Sequence, residues 1–153
     1  MNELNEIGLA YVAGLFDGEG YIRFSFKHHW HGRAMNTEFY LTISNTYRPV
    51  LEFLKGAFGG SIYTDRRPPK KGHKRVHFWR IAGRGAFKVL GQIAPYLKIK
   101  RDPANLVLKN QALISKKGRR TATDRKALIG LTEKMSAYIR RGTAIDLQPV
   151  NPD

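Results

Sequence analysis

A chain of 153 residues is long enough for one domain with a sizeable buried core, and its 27 Lys and Arg against 12 Asp and Glu leave a formal charge of +15. The absence of cysteine excludes disulfides and thiolate zinc sites and fits a reducing interior, cytoplasmic or organellar. No run approaches the ~18 apolar residues of a membrane helix, and no basic-then-apolar leader precedes the first helical pattern. The charge is concentrated: residues 1–22 carry four acids and no Lys or Arg, whereas residues 61–84 hold eight basic residues and one acid. A polyanion is the partner that balance fits best, although a ribosomal protein would share it.

Residues 1–5 read as a lead-in with Asn5 as a helix cap. Over 6–16 the side chains are small or apolar at helical spacing, with Ala10, Ala13 and Gly14 on or near one face. Such a stripe lets another helix approach at the short end of the usual ~8–10 Å axial spacing. An interior glycine costs roughly 1 kcal/mol of helix propensity, so Gly14 implies close packing. Gly18 and Gly20 then free the backbone to leave the helix. Asp17 and Glu19 fall at a helix C-terminus, where the dipole disfavours negative charge. They are either solvated acids at an ordinary helix end or carboxylates compensated by a cation, which is a metal site.

Residues 21–27 alternate, with Ile22, Phe24 and Phe26 inward and Arg23, Ser25 and Lys27 outward. Residues 39–45 repeat the pattern, with Phe39, Leu41 and Ile43 inward and Tyr40, Thr42 and Ser44 outward. The two strands make a hairpin. Its loop holds His28, His29, Trp30 and His31, which suit phosphate or sugar contact better than a metal, because adjacent strand residues point to opposite sides. A helix starting at Pro49 buries Val50, Leu51, Phe53, Leu54 and Phe58 and stops at Gly59 and Gly60.

A second hairpin, with strands over 61–67 and 74–81 around a 68–72 turn, is the most basic part of the chain. Arg66, Arg67, Arg75, His77 and Arg80 are its contact candidates. Arg66 is favoured for a guanine edge, and Lys70, Lys71 and Lys74 suit phosphates. The faces stay open, since Val76, Phe78 and Arg80 share one parity while His77, Trp79 and Ile81 share the other. Helices follow over 85–94, using Phe87, Val89, Leu90 and Ile93, and from Asp102–Pro103 through 115. Lys116, Lys117, Arg119 and Arg120 form a basic loop, either solvated or resting on duplex backbone. Thr123 or Asp124 caps a last helix that aligns Leu128, Leu131, Met135 and Ile139, and a loose tail covers 143–153. The expectation is one α+β domain over 1–142: four antiparallel strands with an apolar face under helices and a positive face open.

Two stretches carry a family resemblance. V-A-G-L-F-D-G-E-G, residues 12–20, resembles the signature motif of the LAGLIDADG homing endonucleases. Tyr96-Leu97-Lys98-Ile99-Lys100, followed by Ala104-Asn105-Leu106-Val107-Leu108, resembles the family's second landmark, and the likeness covers about residues 5–140. A single motif in a chain of this length resembles the members that work as homodimers. The resemblance implies the αββαββα homing endonuclease fold, whose four-stranded antiparallel sheet, backed by helices, forms a saddle over double-stranded DNA. It also implies metal-dependent phosphodiester hydrolysis of a long, near-palindromic target, one strand per subunit, leaving short 3′ overhangs.

On that resemblance Glu19, at the motif's final acid, is the implied catalytic metal ligand, with the Gly18 carbonyl beside it. Asp17 matches the earlier acid, which supports the turn and interface more than it holds metal. Lys100 matches the landmark's second lysine and stabilises developing negative charge or orients the attacking water. Asn45 falls at the level of the family's catalytic centre, where a polar amide helps position water or metal. Ala10, Ala13, Gly14 and Asp17 are the implied dimer contacts. Mg²⁺ is the implied cofactor, with Mn²⁺ substituting and Ca²⁺ occupying the site without cleavage. The alternatives on this scaffold are an intron RNA maturase and a non-cleaving sequence-specific DNA-binding protein. Retention of Glu19 and Lys100 favours the nuclease but leaves room for a dual role with host intron RNA.

Overall fold

In a computed structural model, which describes residues 3–27 and 36–141, ten elements follow one another. They are α1 (Glu6–Glu19), β1 (Gly20–Lys27), β2 (Asn36–Asn45), α2 (Arg48–Phe58), β3 (Ser61–Thr64), β4 (His77–Ala82), α3 (Gly83–Ile93), α4 (Arg101–Lys109), α5 (Gln111–Ser115) and α6 (Ala122–Arg141). The histidines and Trp30 of the first hairpin loop, the Lys27 side chain and the 143–153 tail lie outside the described residues. None of the described helices is long and apolar enough to cross a membrane.

The four strands form one antiparallel sheet in the order β1-β2-β4-β3. Because paired residues share a face, register settles what alternation left open. Ile22 pairs with Leu41 and Leu41 with Ile81, while Ile43 pairs with Trp79 and Trp79 with Ile62. These residues, with Phe24, Phe26 and Phe39, point to the helical side and join Val12, Phe16, Leu51, Leu54, Phe87 and Leu90 in the core. Trp79 anchors it: the ring is fully buried, and its one polar atom, Nε1, donates to the Gly59 carbonyl at 2.8 Å. The opposite face is left open. This is the α+β, αββαββα order expected, a helix-backed four-stranded antiparallel sheet.

Local details differ from the expectations for physical reasons. The helix predicted from Asp102 through 115 is two helices. Its first helical residue is Arg101, two before the expected Pro103, with Lys100 rather than Asp102 at the cap position, and it breaks at Asn110, whose Nδ2 donates to the Leu106 carbonyl at 2.8 Å. Neither Thr123 nor Asp124 caps α6. Thr121 does, in a reciprocal box: its Oγ1 accepts from Asp124 N at 3.1 Å, and Asp124 Oδ2 accepts from Thr121 N at 2.9 Å. Phe53 leaves the core side of α2 and meets Tyr11 edge-on, with ring centroids 6.1 Å apart. Ile139 is likewise exposed rather than in line with Leu128, Leu131 and Met135. Helix α6 also closes the sheet edge, where Phe26 N donates to Thr132 Oγ1 at 3.2 Å.

Candidate functional site

The C-terminus of α1 is where the two quoted sequence stretches meet. Asp17 is one of two buried polar residues in the described chain. Its carboxylate takes both of its partners from the loop that follows the 3-10 turn Ala94–Tyr96: Oδ2 accepts from Lys98 N at 2.7 Å and Oδ1 from Lys100 N at 2.9 Å. The Lys100 ammonium in turn donates to the Asp17 carbonyl. A lysine there satisfies one of the orphan carbonyls at a helix end and meets the negative pole of its dipole. Half-burial pushes the Lys100 ammonium below the ordinary lysine value, while the charges of Asp17 and Glu19 pull it back up. Glu19, the last residue of α1, is exposed beside this junction.

The glycines work differently from the expectation that they release the backbone. Gly18 is helical and exposed, and a Cβ there would meet nothing within 4 Å. Gly20 has an ordinary extended φ of −86°, but a Cβ would sit 2.4 Å from a Phe16 ring carbon and 2.5 Å from the Phe16 carbonyl oxygen. Space, not handedness, requires glycine at 20.

Asn45 ends β2 next to this corner, two residues beyond the Gly20↔Ile43 pair. Its Oδ1 accepts from Tyr47 N at 2.8 Å, so the amide shapes the turn into α2 and has its Nδ2 donors for other partners. Among the described residues no three His, Cys, Asp or Glu side chains gather as a metal cluster. A single chain therefore offers Glu19 and backbone carbonyls as hard-oxygen donors. Asp17, with both carboxylate oxygens accepting backbone N–H groups, is a clamp on the loop rather than a free ligand.

The residues expected at the dimer contact divide. Ala10 and Gly14 lie on an exposed strip of α1 with Ile7, Tyr11 and Gly18, and Ile7 is 80% exposed. Ala13 is fully buried and Asp17 nearly so, both against their own chain. This corrects their placement at an outer surface: one residue of rotation along a helix, about 100°, carries position 13 from the strip into the core.

On the open sheet face stand Arg23, Tyr40, Thr42 and Ser44, as expected from parity, with Ser25 on the same side but buried, Arg80, whose face parity had left open, and Tyr21, Glu38, Ser61, Tyr63 and Phe78. Glu38 was not foreseen. It accepts from Arg23 Nε at 3.4 Å and from Ser25 Oγ at 3.2 Å. The Tyr21 hydroxyl, followed by Glu38, holds the Arg23 guanidinium above its ordinary value. Thr42 Oγ1 donates to the Trp79 carbonyl at 2.9 Å. Parity alone would have brought in Tyr21 beside Arg23; Tyr63 and Ser61 needed the β3–β4 register.

Five of the basic candidates have partners within their own chain. His77 shares the core-side parity of Trp79, and its Nδ1 lies 2.9 Å from Thr64 Oγ1, so it does not face the open surface. Arg120 is a staple: Nη1 donates to the Leu113 carbonyl at 2.6 Å, and Nη2 to the Lys116 and Ile114 carbonyls at 3.0 and 3.3 Å and to Thr37 Oγ1 at 3.3 Å. Arg67 closes on Asp65, whose carboxylate its Nη2 meets at 3.0 Å and whose acidity it strengthens. Arg75 donates to the Asp65 carbonyl. Arg66, Lys70, Lys71 and Lys74 stay exposed in the β3–β4 loop, and Lys117 and Arg119 in the loop before α6. Lys116 pairs with Asp124 at 2.5 Å.

Helix-backed sheet, open polar face and an acid-ended first helix clamped to a lysine loop together define a fold class. That class is the fold of the LAGLIDADG homing endonucleases, as solved structures show. I-CvuI, solved with DNA targets in the presence of Mg or Ca, matches with TM-scores of 0.63 at 20% identity, covering 86% of this chain and 82% or 81% of that one. The archaeal intron-encoded homing endonuclease I-Vdi141I, complexed with DNA, matches with a TM-score of 0.61 at 18% identity, covering 86% and 84%. The LAGLIDADG meganuclease I-AabMI, bound to uncleaved DNA, matches with a TM-score of 0.65 at 19% identity over 98% of this chain but 53% of its own. No protein-family model matches the sequence, and no curated protein matches it.

Proposed function

We propose that this chain is a site-specific, divalent-metal-dependent double-strand DNA endonuclease, carried by one domain over 1–142 and working as a homodimer. The observation that carries the reading is the junction at the end of α1, where Asp17 holds the Lys100 loop against the helix and Glu19 stands exposed beside it. An acid and a cation are thereby gathered next to an open face that bears Arg23, Arg80 and a basic hairpin loop.

One carboxylate per chain suits a hard cation that keeps waters and takes other ligands from phosphates. The Glu19 carboxylate and the Gly18 carbonyl are the donors that would hold Mg²⁺ or Mn²⁺, with Ca²⁺ binding unproductively. The ion supplies an activated water and charge neutralisation at phosphate. Lys100, held by the Asp17 carbonyl and loop, keeps a positive charge at hand for the developing oxyanion. The Asn45 amide, oriented by its bond from Tyr47 N, offers Nδ2 to a water or a phosphate oxygen. Lys70, Lys71, Lys74, Lys117 and Arg119 suit the DNA backbone.

Two observations support pairing of copies. The chain covers most of I-CvuI and I-Vdi141I but about half of I-AabMI. Gly14 and Gly18 also have no packing reason within their own chain. Identical subunits read near-identical half-sites and cut one strand each, which leaves short 3′ overhangs on a near-palindromic target. The test is incubation of a randomised duplex library with Mg²⁺ or EDTA, followed by end mapping. Discrete sites with staggered 3′ ends, in Mg²⁺ only, are expected. Site-specific retention of duplex with no cut in any metal would overturn the nuclease reading in favour of the non-cleaving binder. Retention of structured intron RNA instead would favour the maturase.

A further inference from the structure

The open face carries two arginines in opposite situations. Arg23 is committed to Glu38, so its charge is answered on the face itself. Among the described residues Arg80 has no carboxylate partner: the ion pairs there are Arg23–Glu38, Arg48–Glu52, Arg67–Asp65 and Lys116–Asp124. What holds Arg80 is aromatic. Its guanidinium carbon lies 4.1 Å from the centroid of the Tyr40 ring and 5.6 Å from that of Tyr63. The geometry follows from register. Arg80 stands opposite Thr42 on β2 and Ser61 on β3, whereas Tyr40 opposes Ala82 and Tyr63 opposes Phe78. The two rings therefore reach Arg80 along opposite diagonals from the two flanking strands, at a separation long side chains bridge.

Cation–π contact occupies the face of a guanidinium and leaves its in-plane N–H donors unspent. Much of the rotamer freedom that binding would otherwise remove is already restricted. The directly paired residues, Thr42 and Ser61, are short, so neither of them screens the fork. We infer that Arg80, ordered between Tyr40 and Tyr63, is the base-reading arginine of the sheet, taking O6 and N7 of one guanine per half-site in the major groove, and that Tyr40 is its positioning residue. Its charge, geometry and lack of a competing carboxylate match that bidentate acceptor pair. Arg66, favoured from sequence, stands in the β3–β4 loop rather than on the face. This inference rests on the DNA-binding reading above.

The test is binding-site selection from a randomised duplex library in metal-free buffer, with the unmodified protein, Arg80→Lys and Tyr40→Leu, followed by titration of each protein on the selected duplex and its single-base variants. The unmodified protein should select a site with one guanine per half-site whose replacement costs roughly 10- to 100-fold in affinity. Arg80→Lys keeps the charge and loses the fork. It should erase that preference while leaving the other positions and the affinity for unrelated duplex within about 3-fold, as sequence-independent binding follows charge. Tyr40→Leu should weaken the preference at the same position and nowhere else. An unchanged preference profile in Arg80→Lys, or an equal loss on all sequences, would overturn the inference while leaving DNA binding intact. Selection of no site by the unmodified protein would overturn the DNA-binding reading and this inference with it.

Discussion

Asp17 and Lys100 hold each other across 83 residues of sequence: the carboxylate of the first accepts the backbone N–H of the second, and the ammonium of the second donates to the carbonyl of the first. With the added bond from Lys98 N, one buried carboxylate fixes the direction of a whole loop. The proposed chemistry depends on that fixation, because Lys100 can serve a phosphate only if its stem leaves the loop toward the end of α1.

Removing the clamp should therefore cost both stability and activity. Asp17→Ala leaves two amide donors without an acceptor in a half-buried place, a loss of about 2–4 kcal/mol. For a chain of this size that is a fall in Tm of about 5–15 °C. Asp17→Asn keeps one acceptor oxygen and should fall between. Thermal and denaturant unfolding check this, and a shift under about 0.5 kcal/mol for Asp17→Ala, the size typical of an ordinary surface change, contradicts it.

Gly14 separates the demands of the chain from those of its proposed copy. Since a Cβ there meets nothing within its own chain, Gly14→Ala should stabilise an isolated chain by about 1 kcal/mol of helix propensity. A methyl at the closest approach of two α1 helices should weaken self-association by about tenfold or more. Denaturant unfolding at low concentration and sedimentation equilibrium read the two effects separately. Equal association of the variant and the parent contradicts a dimer made through this strip.

The first hairpin was legible because both of its strands alternate without interruption, and Asn5 was legible as a cap because a short polar side chain precedes an apolar helix; its Oδ1 accepts from Gly8 N at 2.9 Å. The second hairpin was not, since each parity, Val76, Phe78 and Arg80 or His77, Trp79 and Ile81, mixes apolar and polar residues. Only the β2–β4 pairing, made by residues about 37 apart in sequence, decides it. Of the candidate site, Glu19 and Lys100 were found through motif likeness. The bond that joins Lys100 to Asp17 was invisible, because a buried carboxylate's partners are backbone groups that carry no sequence signal. Arg120 misled for the opposite reason. In a run of Lys and Arg, a guanidinium spent on carbonyls reads like its solvated neighbours.

The box at the start of α6 should show itself in acid. Lys116 and then the Thr121 N–H hold the Asp124 carboxyl below its ordinary value of 3.8. A lowered acid contributes stability that is fully present above the unfolded value and lost as pH falls through the folded one. The unmodified protein and Asp124→Asn should thus differ most in Tm near neutrality and converge as pH falls past the ordinary carboxyl value and through the lowered one. A difference that stays constant or grows toward acid would show that the carboxylate's charge is not what the helix start uses.

The most direct measurement of the central claim compares the unmodified protein with Glu19→Gln on a selected duplex, following binding in EDTA and cleavage in Mg²⁺. The account predicts binding within about threefold and cleavage reduced by at least about 100-fold, because the change removes a metal-ligand charge and leaves the sheet face untouched. Metal-dependent cleavage by Glu19→Gln at the rate of the unmodified protein would contradict it.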